Sequence, residues 1–226
     1  MHAPFLGFGP EALAWFGGLE KDNSKAYFDA SRPTWETDVR DPLKRLLEEL
    51  AEDLGGSVKV FRQNRDTRFS KNKAPYKTNS YGVVSVPGGH SGLYVSVSSK
   101  GLGAGSGYWQ MAKDQLRRYR VAVQGPEGEA FEAAMAEMEA SGVRLWGDAL
   151  KTAPRGVPKD HPRIRLLRQK DVLAGADLGP EATMDGRAPV SFARSLWDRS
   201  RPVMEWMDAH VGPSETPPEA RFGART

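Results

Sequence analysis

The side chains best able to do chemistry are gathered in one stretch, Arg62 to Lys77, which reads RQNRDTRFSKNKAPYK. It holds Arg62, Arg65, Arg68, Lys71, Lys73 and Lys77 against a single acid, Asp66. With Lys59 included, seven cations face one anion over nineteen residues, a local charge of +6 in a chain whose formal net charge is +3. Clustered cations repel one another unless carboxylates or a bound anion offset them. Guanidinium forks match the paired oxygens of carboxylate and phosphate groups. Two readings follow: an anion-binding site, or a surface salt-bridge network around Asp66. Phe69, Pro75 and Tyr76 interleave with the cations, whereas a disordered basic tail is poor in aromatics. The expectation is an ordered loop with at least two guanidinium groups converging in one cleft.

For a phosphate- or carboxylate-bearing ligand, the candidate contacts are Arg62, Arg65, Arg68, Lys71, Lys73, Lys77 and Lys151. Arg155 and Lys159 could stand with Lys151 as an opposite wall. In phosphoryl transfer, such cations stabilise charge on the equatorial oxygens. A reaction would also need a proton carrier, and Asp66, Tyr76 and His161 are the catalytic candidates. Asp66 among arginines is expected to stay ionised, which makes it a poor acid and a better orienter of Arg65 or Arg68. Imidazole is the side chain that ordinarily exchanges protons near neutral pH; the alternative for this segment is Asp160 as a helix cap with His161 in the first turn. Two other functions compete with an anionic small molecule. Interleaved cations and aromatics suit a nucleic-acid-binding module, and a basic face suits an interaction domain that docks an acidic partner.

The same stretch resembles the DUF2461 family, a bacterial family of unknown function. The family signature R-x-x-R-D-x-R-F, followed by D/N-K and a tyrosine, is matched by Arg62, Arg65, Asp66, Arg68, Phe69, Asn72, Lys73 and Tyr76. Two further segments are similar, Asn23 to Phe28 (NSKAYF) and Leu150 to Pro162 (LKTAPRGVPKDHP). The resemblance covers roughly residues 5 to 210. It implies no activity and no cofactor, so the functional reading rests on the residues.

Composition narrows the field. The chain has 226 residues, 39% of them hydrophobic, with nine Phe, six Trp and six Tyr, enough for a substantial core. It has no cysteine, which excludes a disulfide framework, a thiol nucleophile and a cysteine zinc site. The four histidines, His2, His90, His161 and His210, are scattered, and no HExxH motif occurs, so no metal set is assigned. No apolar run reaches the length of a membrane span. The segment MHAPFLGFGP lacks the basic and apolar regions of a signal peptide, and a cytoplasmic location is expected. Oligomeric state leaves no mark in the sequence.

The elements that must position the basic stretch are read from periodicity. Gly9-Pro10 opens a first helix. Asp22, Asn23 and Ser24 cap a second, which is expected to stop before Pro33. Asp41-Pro42 starts a helix carrying Leu43, Leu46, Leu47, Leu50 and Leu54, stopped by Gly55-Gly56. Val58 to Phe61 is a short strand. Thr78 to Val86 and Leu93 to Ser99 alternate with period two, as an antiparallel hairpin does. Gly101 to Gly107, GLGAGSG, lacks the ending of a phosphate loop and is expected to be a mobile connection, a candidate lid. Further helices run from Trp109 to Val123 and through Phe131, Met135 and Met138. Val143 to Leu150 returns as a strand, and Asp160 caps a short basic helix. A final helix over 190–209 is expected to be kinked or interrupted at Pro202, and 171–187 carries no clear pattern. The fold class expected is α+β: a single domain over 1–211, with an antiparallel sheet, helices mainly on one face, and a disordered tail over 212–226.

Overall fold

Leu43, Leu46, Leu47 and Leu50 are all buried on one side of α3 (Asp41–Leu54). Spacings of three and four put them on one stripe, and that stripe faces a β-sheet. In the computed structural model, which describes residues 3–68, 70–87 and 91–215, the fold is α+β. The strands are β1 (Ser57–Val60), β2 (Asn79–Ser85), β3 (Gly92–Ser98), β4 (Gly101–Tyr108), β5 (Arg144–Trp146) and β6 (Val172–Leu178). They form one six-stranded antiparallel sheet in the order β1-β2-β3-β4-β6-β5. Phe69 of the basic stretch, His2, His90 and residues 216–226 lie outside the described residues.

Contacts divide the chain into two compact units: Met1–Pro87, Gly92–Gly105 and Ala176–Leu196 form the first, and Gly88–Ser91, Ser106–Gly175 and Trp197–Thr226 the second. In the first unit, the β2–β3 register pairs Gly82 with Val95 and Val84 with Leu93. Residues opposite one another share a face, so Ser80, Gly82, Val84, Leu93, Val95 and Val97 line one side, all buried. α3 packs there, and Gly82 permits its approach: a Cβ on Gly82 would collide with Leu47. The other side carries Tyr81, Val83, Tyr94 and Ser96, all half-exposed.

Ahead of α3 lie α1 (Ala12–Lys21) and α2 (Lys25–Thr34). Ser24 is the N-cap of α2, its hydroxyl accepting from Tyr27 N at 3.1 Å. The expected stop before Pro33 does not occur. α2 passes through Pro33 into a π-helical segment, Trp35–Arg40, that runs on into α3. A wider turn absorbs the backbone group that proline cannot satisfy, and burial of Phe28, Trp35 and Val39 rewards continuation. Asp41-Pro42 therefore sits inside a continuous helical run rather than at a capped start.

The glycine-rich segment Gly101–Gly107 is strand β4, not a mobile connection. Its glycines answer to close backbone approach and to positive φ. Gly101 has φ 105° and Gly107 φ 148°. A Cβ on Gly101 would overlap Leu178 O, and one on Gly107 would overlap Val172 O. Glycine alternates with Leu102, Ala104, Ser106 and Tyr108, all buried, but so many glycines in one run also read as a flexible connection.

In the second unit, α4 (Lys113–Gln124) and α5 (Glu127–Ala140) pack through Tyr119 and Phe131, rings 5.8 Å apart and edge-on. Trp206 of α8 (Ala188–His210) lies 4.2 Å from Phe131. α8 is continuous through Pro202, so of the kink or interruption expected there, the interruption does not occur. The stretch 171–187 contains β6 and the one-turn α7 (Pro180–Thr183). The expected strand over Val143–Leu150 is reduced to β5, and α6 (Ile164–Leu167) has Arg163, not Asp160, at its N-cap. Residues 212–215 of the expected tail are tied to α4. Gln115 Nε2 donates to Gly212 O at 2.8 Å, and Ser214 Oγ donates to Asp114 at 2.8 Å.

Candidate functional site

The basic stretch leaves β1 and returns to β2 as an irregular hairpin. Arg65 N donates to Pro75 O at 2.8 Å, Lys77 N to Gln63 O at 3.0 Å, and Asn64 bridges Tyr76 antiparallel. Between these rungs the loop is shaped by its own side chains. Asp66 accepts from Arg68 N at 3.2 Å, and Asn72 accepts from Ala74 N at 2.9 Å. Both are Asx turns, in which a short polar side chain mimics a backbone turn. Lys73 Nζ donates to Thr67 O at 3.0 Å. The cations that define the sequence motif thus also satisfy carbonyls of the loop.

The base of the hairpin is fixed by Gln63, 2% exposed. Its Nε2 donates to Lys77 O at 2.5 Å and Asn79 O at 3.1 Å, and its Oε1 accepts from Ser80 Oγ at 2.6 Å. Ser80 Oγ accepts in turn from Trp35 Nε1 at 3.1 Å. Asn23, in the turn between α1 and α2, holds the other side. Its Oδ1 accepts from Tyr76 N at 3.0 Å, and its Nδ2 donates to Tyr76 O at 3.3 Å. Tyr76 is buried, with its ring stacked on Phe28 at 4.2 Å.

Between the hairpin and the Asn23 turn lies a cleft of about 320 Å³, lined by Asn23, Arg65, Asn72, Ala74, Tyr76, Lys77, Thr78 and Asn79. Of the expected ligand contacts, this brings together Arg65 and Lys77, with Tyr76 beside them. Arg65 is the only one of the three loop arginines among the lining residues, so the expected convergence of two guanidinium groups is replaced by one guanidinium and one ammonium. Arg65 Nη1 donates to Ala74 O at 3.2 Å and Nη2 to Ser70 Oγ at 3.4 Å. A guanidinium has five N–H donors, and these two bonds engage two of them. Lys77 Nζ donates to Arg62 O and, at 3.1 Å, to Asn64 O. Burial lowers its pKa, and nearby Arg62 lowers it further.

The other candidates lie elsewhere. Arg68 and Asp66 form an exposed ion pair at 2.7 Å. Hydrogen bonds from Arg68, first from its side chain and then from its backbone, bring the Asp66 carboxyl down to about 2. Asp66 therefore orients Arg68 and stays ionised. Arg62, Lys71 and Lys73 are exposed on the loop. Lys151 and His161 belong to the second unit. Lys151 is exposed, and His161 Nδ1 accepts from Arg163 N at 3.0 Å.

The cleft also contains residues that charge counting does not single out: Asn23, Thr78 and Asn79, with Gln63 behind them. Asn23 opens the segment NSKAYF, and Asn72 and Tyr76 stand in the loop signature, so residues far apart in sequence meet at one cleft. The chain belongs to the DUF2461 family. The family's model, described as a conserved hypothetical protein (DUF2461), matches residues 11–206, which takes in the whole basic loop and the Asn23 turn. No curated protein matches the chain. Among the described residues of this DUF2461 protein, no helix is long and apolar enough to cross a membrane.

Proposed function

We propose that the protein binds a small anionic ligand, bearing phosphate or carboxylate, in the cleft between the basic hairpin and the Asn23 turn. The observation that supports this reading is the lining itself. Arg65 and Lys77 are held in fixed directions by carbonyls of the loop, beside the amide side chains of Asn23, Asn72 and Asn79 and the hydroxyl of Thr78. Fixed cations flanked by neutral donors suit an oxyanion, because their donors need little reordering when the ligand arrives. A cleft of about 320 Å³ is near the lower bound of small-molecule sites. The reading is one of binding; no reaction is assigned to Asp66, Tyr76 or His161.

Isothermal titration with inorganic phosphate, pyrophosphate and malate tests it. The wild-type protein is expected to bind at least one of them. Arg65→Ala removes a charge-assisted hydrogen bond, a loss of about 1.5–3 kcal/mol, so affinity should fall about ten- to a hundredfold. Lys44→Ala, an exposed cation on α3, should leave affinity unchanged. A steep log-linear loss of affinity with salt for a single-stranded oligonucleotide, without binding of any small anion, would favour a nucleic-acid module instead.

A further inference from the structure

On the half-exposed side of the first unit's sheet, three aromatic rings stand in a row beside the cleft. Phe61 and Tyr81 are stacked with centroids 4.8 Å apart, and Tyr81 and Tyr94 are 5.5 Å apart. Tyr81 and Tyr94 come from β2 and β3, where the register puts them on the face away from α3, and Phe61 directly follows β1, its N donating to Tyr81 O at 3.0 Å. None of the three is fully buried. The rings pack on one another rather than under α3, so the row remains partly open to solvent.

Two cations accompany the row. Lys59 Nζ lies 5.0 Å from the Phe61 ring centre and Lys77 Nζ 5.2 Å from that of Tyr81. Lys77 is therefore shared: it lines the anion cleft and stands over the middle ring. Asn79 is shared as well, lining the cleft while its Nδ2 donates to Tyr94 Oη at 3.4 Å. Cleft and ring row thus meet at Lys77 and Asn79. A bare phosphate or a small dicarboxylate would use only the cleft.

We propose that the ligand of the cleft is a nucleoside phosphate, its phosphate held by Arg65 and Lys77 and its base packed against the Phe61–Tyr81–Tyr94 row. The inference rests on the anion-binding reading and names the ligand class for it. A base offers a flat π-face to aromatic side chains and cations, whichever base it is, so the surface fits the nucleotide unit without choosing among bases. The cleft's small volume limits the anionic part to a short phosphate group, with the base outside the cleft on the sheet.

Titrations of the full-length protein with adenosine 5′-monophosphate, ribose 5-phosphate and inorganic phosphate test the assignment. The expected result is that the nucleotide binds at least tenfold more tightly than ribose 5-phosphate. Phe61→Leu, at the ring over which Lys59 rather than the cleft's Lys77 stands, should lower that ratio toward one by weakening the nucleotide more than ribose 5-phosphate; a thermal melt confirms the variant is folded. Because the ratio is measured first on the wild-type protein, the test stands even if the variant fails to fold. Equal binding of the nucleotide and ribose 5-phosphate by wild type would overturn the inference and leave the anion cleft intact. Failure of all three to bind would overturn both. A deoxythymidine oligomer that binds more tightly than the mononucleotide, with a steep salt dependence, would also overturn it in favour of a single strand.

Discussion

Gln63 offers the sharpest test of how the loop is held. Gln63→Leu preserves size and burial but removes both polar ends of the amide. Lys77 O and Asn79 O lose their donor, and the Ser80 hydroxyl loses its acceptor. A buried polar group left unpaired costs about 1–3 kcal/mol. The Ser80 hydroxyl can turn elsewhere, and leucine gains some apolar burial, so the two carbonyls set the scale, a loss of about 3 kcal/mol. For a chain of this length each kcal/mol moves the melting temperature by about 2–4 °C, so the variant should melt about 6–12 °C lower. Urea denaturation of both proteins at the same pH measures the difference directly. Because Gln63 ties down the backbone of Lys77 and Asn79, phosphate affinity should also fall at temperatures where the variant is fully folded. A stability loss below about 1 kcal/mol would refute the reasoning, since it would mean water or a neighbour replaces the amide without cost.

Two other perturbations probe the frame and the loop. Gly107→Ala places a Cβ on Val172 O at φ 148° and should leave the protein poorly soluble or severely destabilised, whereas Gly142→Ala, at φ 88° with open space around it, should cost only the backbone strain of about 1–2 kcal/mol; similar losses for both would refute the close approach of β4 to β6. Asp66, with its carboxyl held at about 2 by Arg68, is depressed relative to an unfolded carboxylate, so its contribution is present above about pH 4 and is lost as pH falls toward 2. The stability difference between wild type and Asp66→Asn should therefore shrink as pH falls across that range, and a difference that stays flat in acid denaturation curves would show that the Asp66–Arg68 pair does not persist in solution.

The parts of the fold legible in the sequence are those where side chains carry the period. The leucines of α3 and the alternation of β3 identify a helix and a half-buried strand without help. The errors have a common physical origin. β4 alternates glycine with Leu102, Ala104, Ser106 and Tyr108, but its glycines read as a flexible connection, and the neighbouring backbone that selects them is a contact invisible along the chain. The local cost of Pro33 and Pro202 points to breaks or kinks, but each lies in a helix whose flanking residues are buried. Phe28 and Trp35 flank Pro33, and Val203 and Met204 follow Pro202. Burial of a few large side chains outweighs one missing hydrogen bond. The four residues 212–215 were assigned to a disordered tail on composition, yet Asp114, Gln115 and Arg118 supply partners for them.

At the site, the sequence located the loop and misjudged how its charges are used. Seven cations over nineteen residues suggested a choice between a salt-bridge network and a ligand site. Among the described residues of the loop, the ion pair seen is Asp66–Arg68. Arg65, Lys73 and Lys77 instead donate to carbonyls of the loop, which lets a long irregular segment stay ordered without a helix or strand of its own. Donating to a carbonyl does not neutralise a cation, as pairing with a carboxylate does. The same bond that orders the loop therefore leaves its positive field intact and aims it. Arg65 and Lys77 line the cleft and Arg68, held by Asp66, does not, so on the anion-binding proposal substitution at Arg65 should weaken anion binding more than substitution at Arg68.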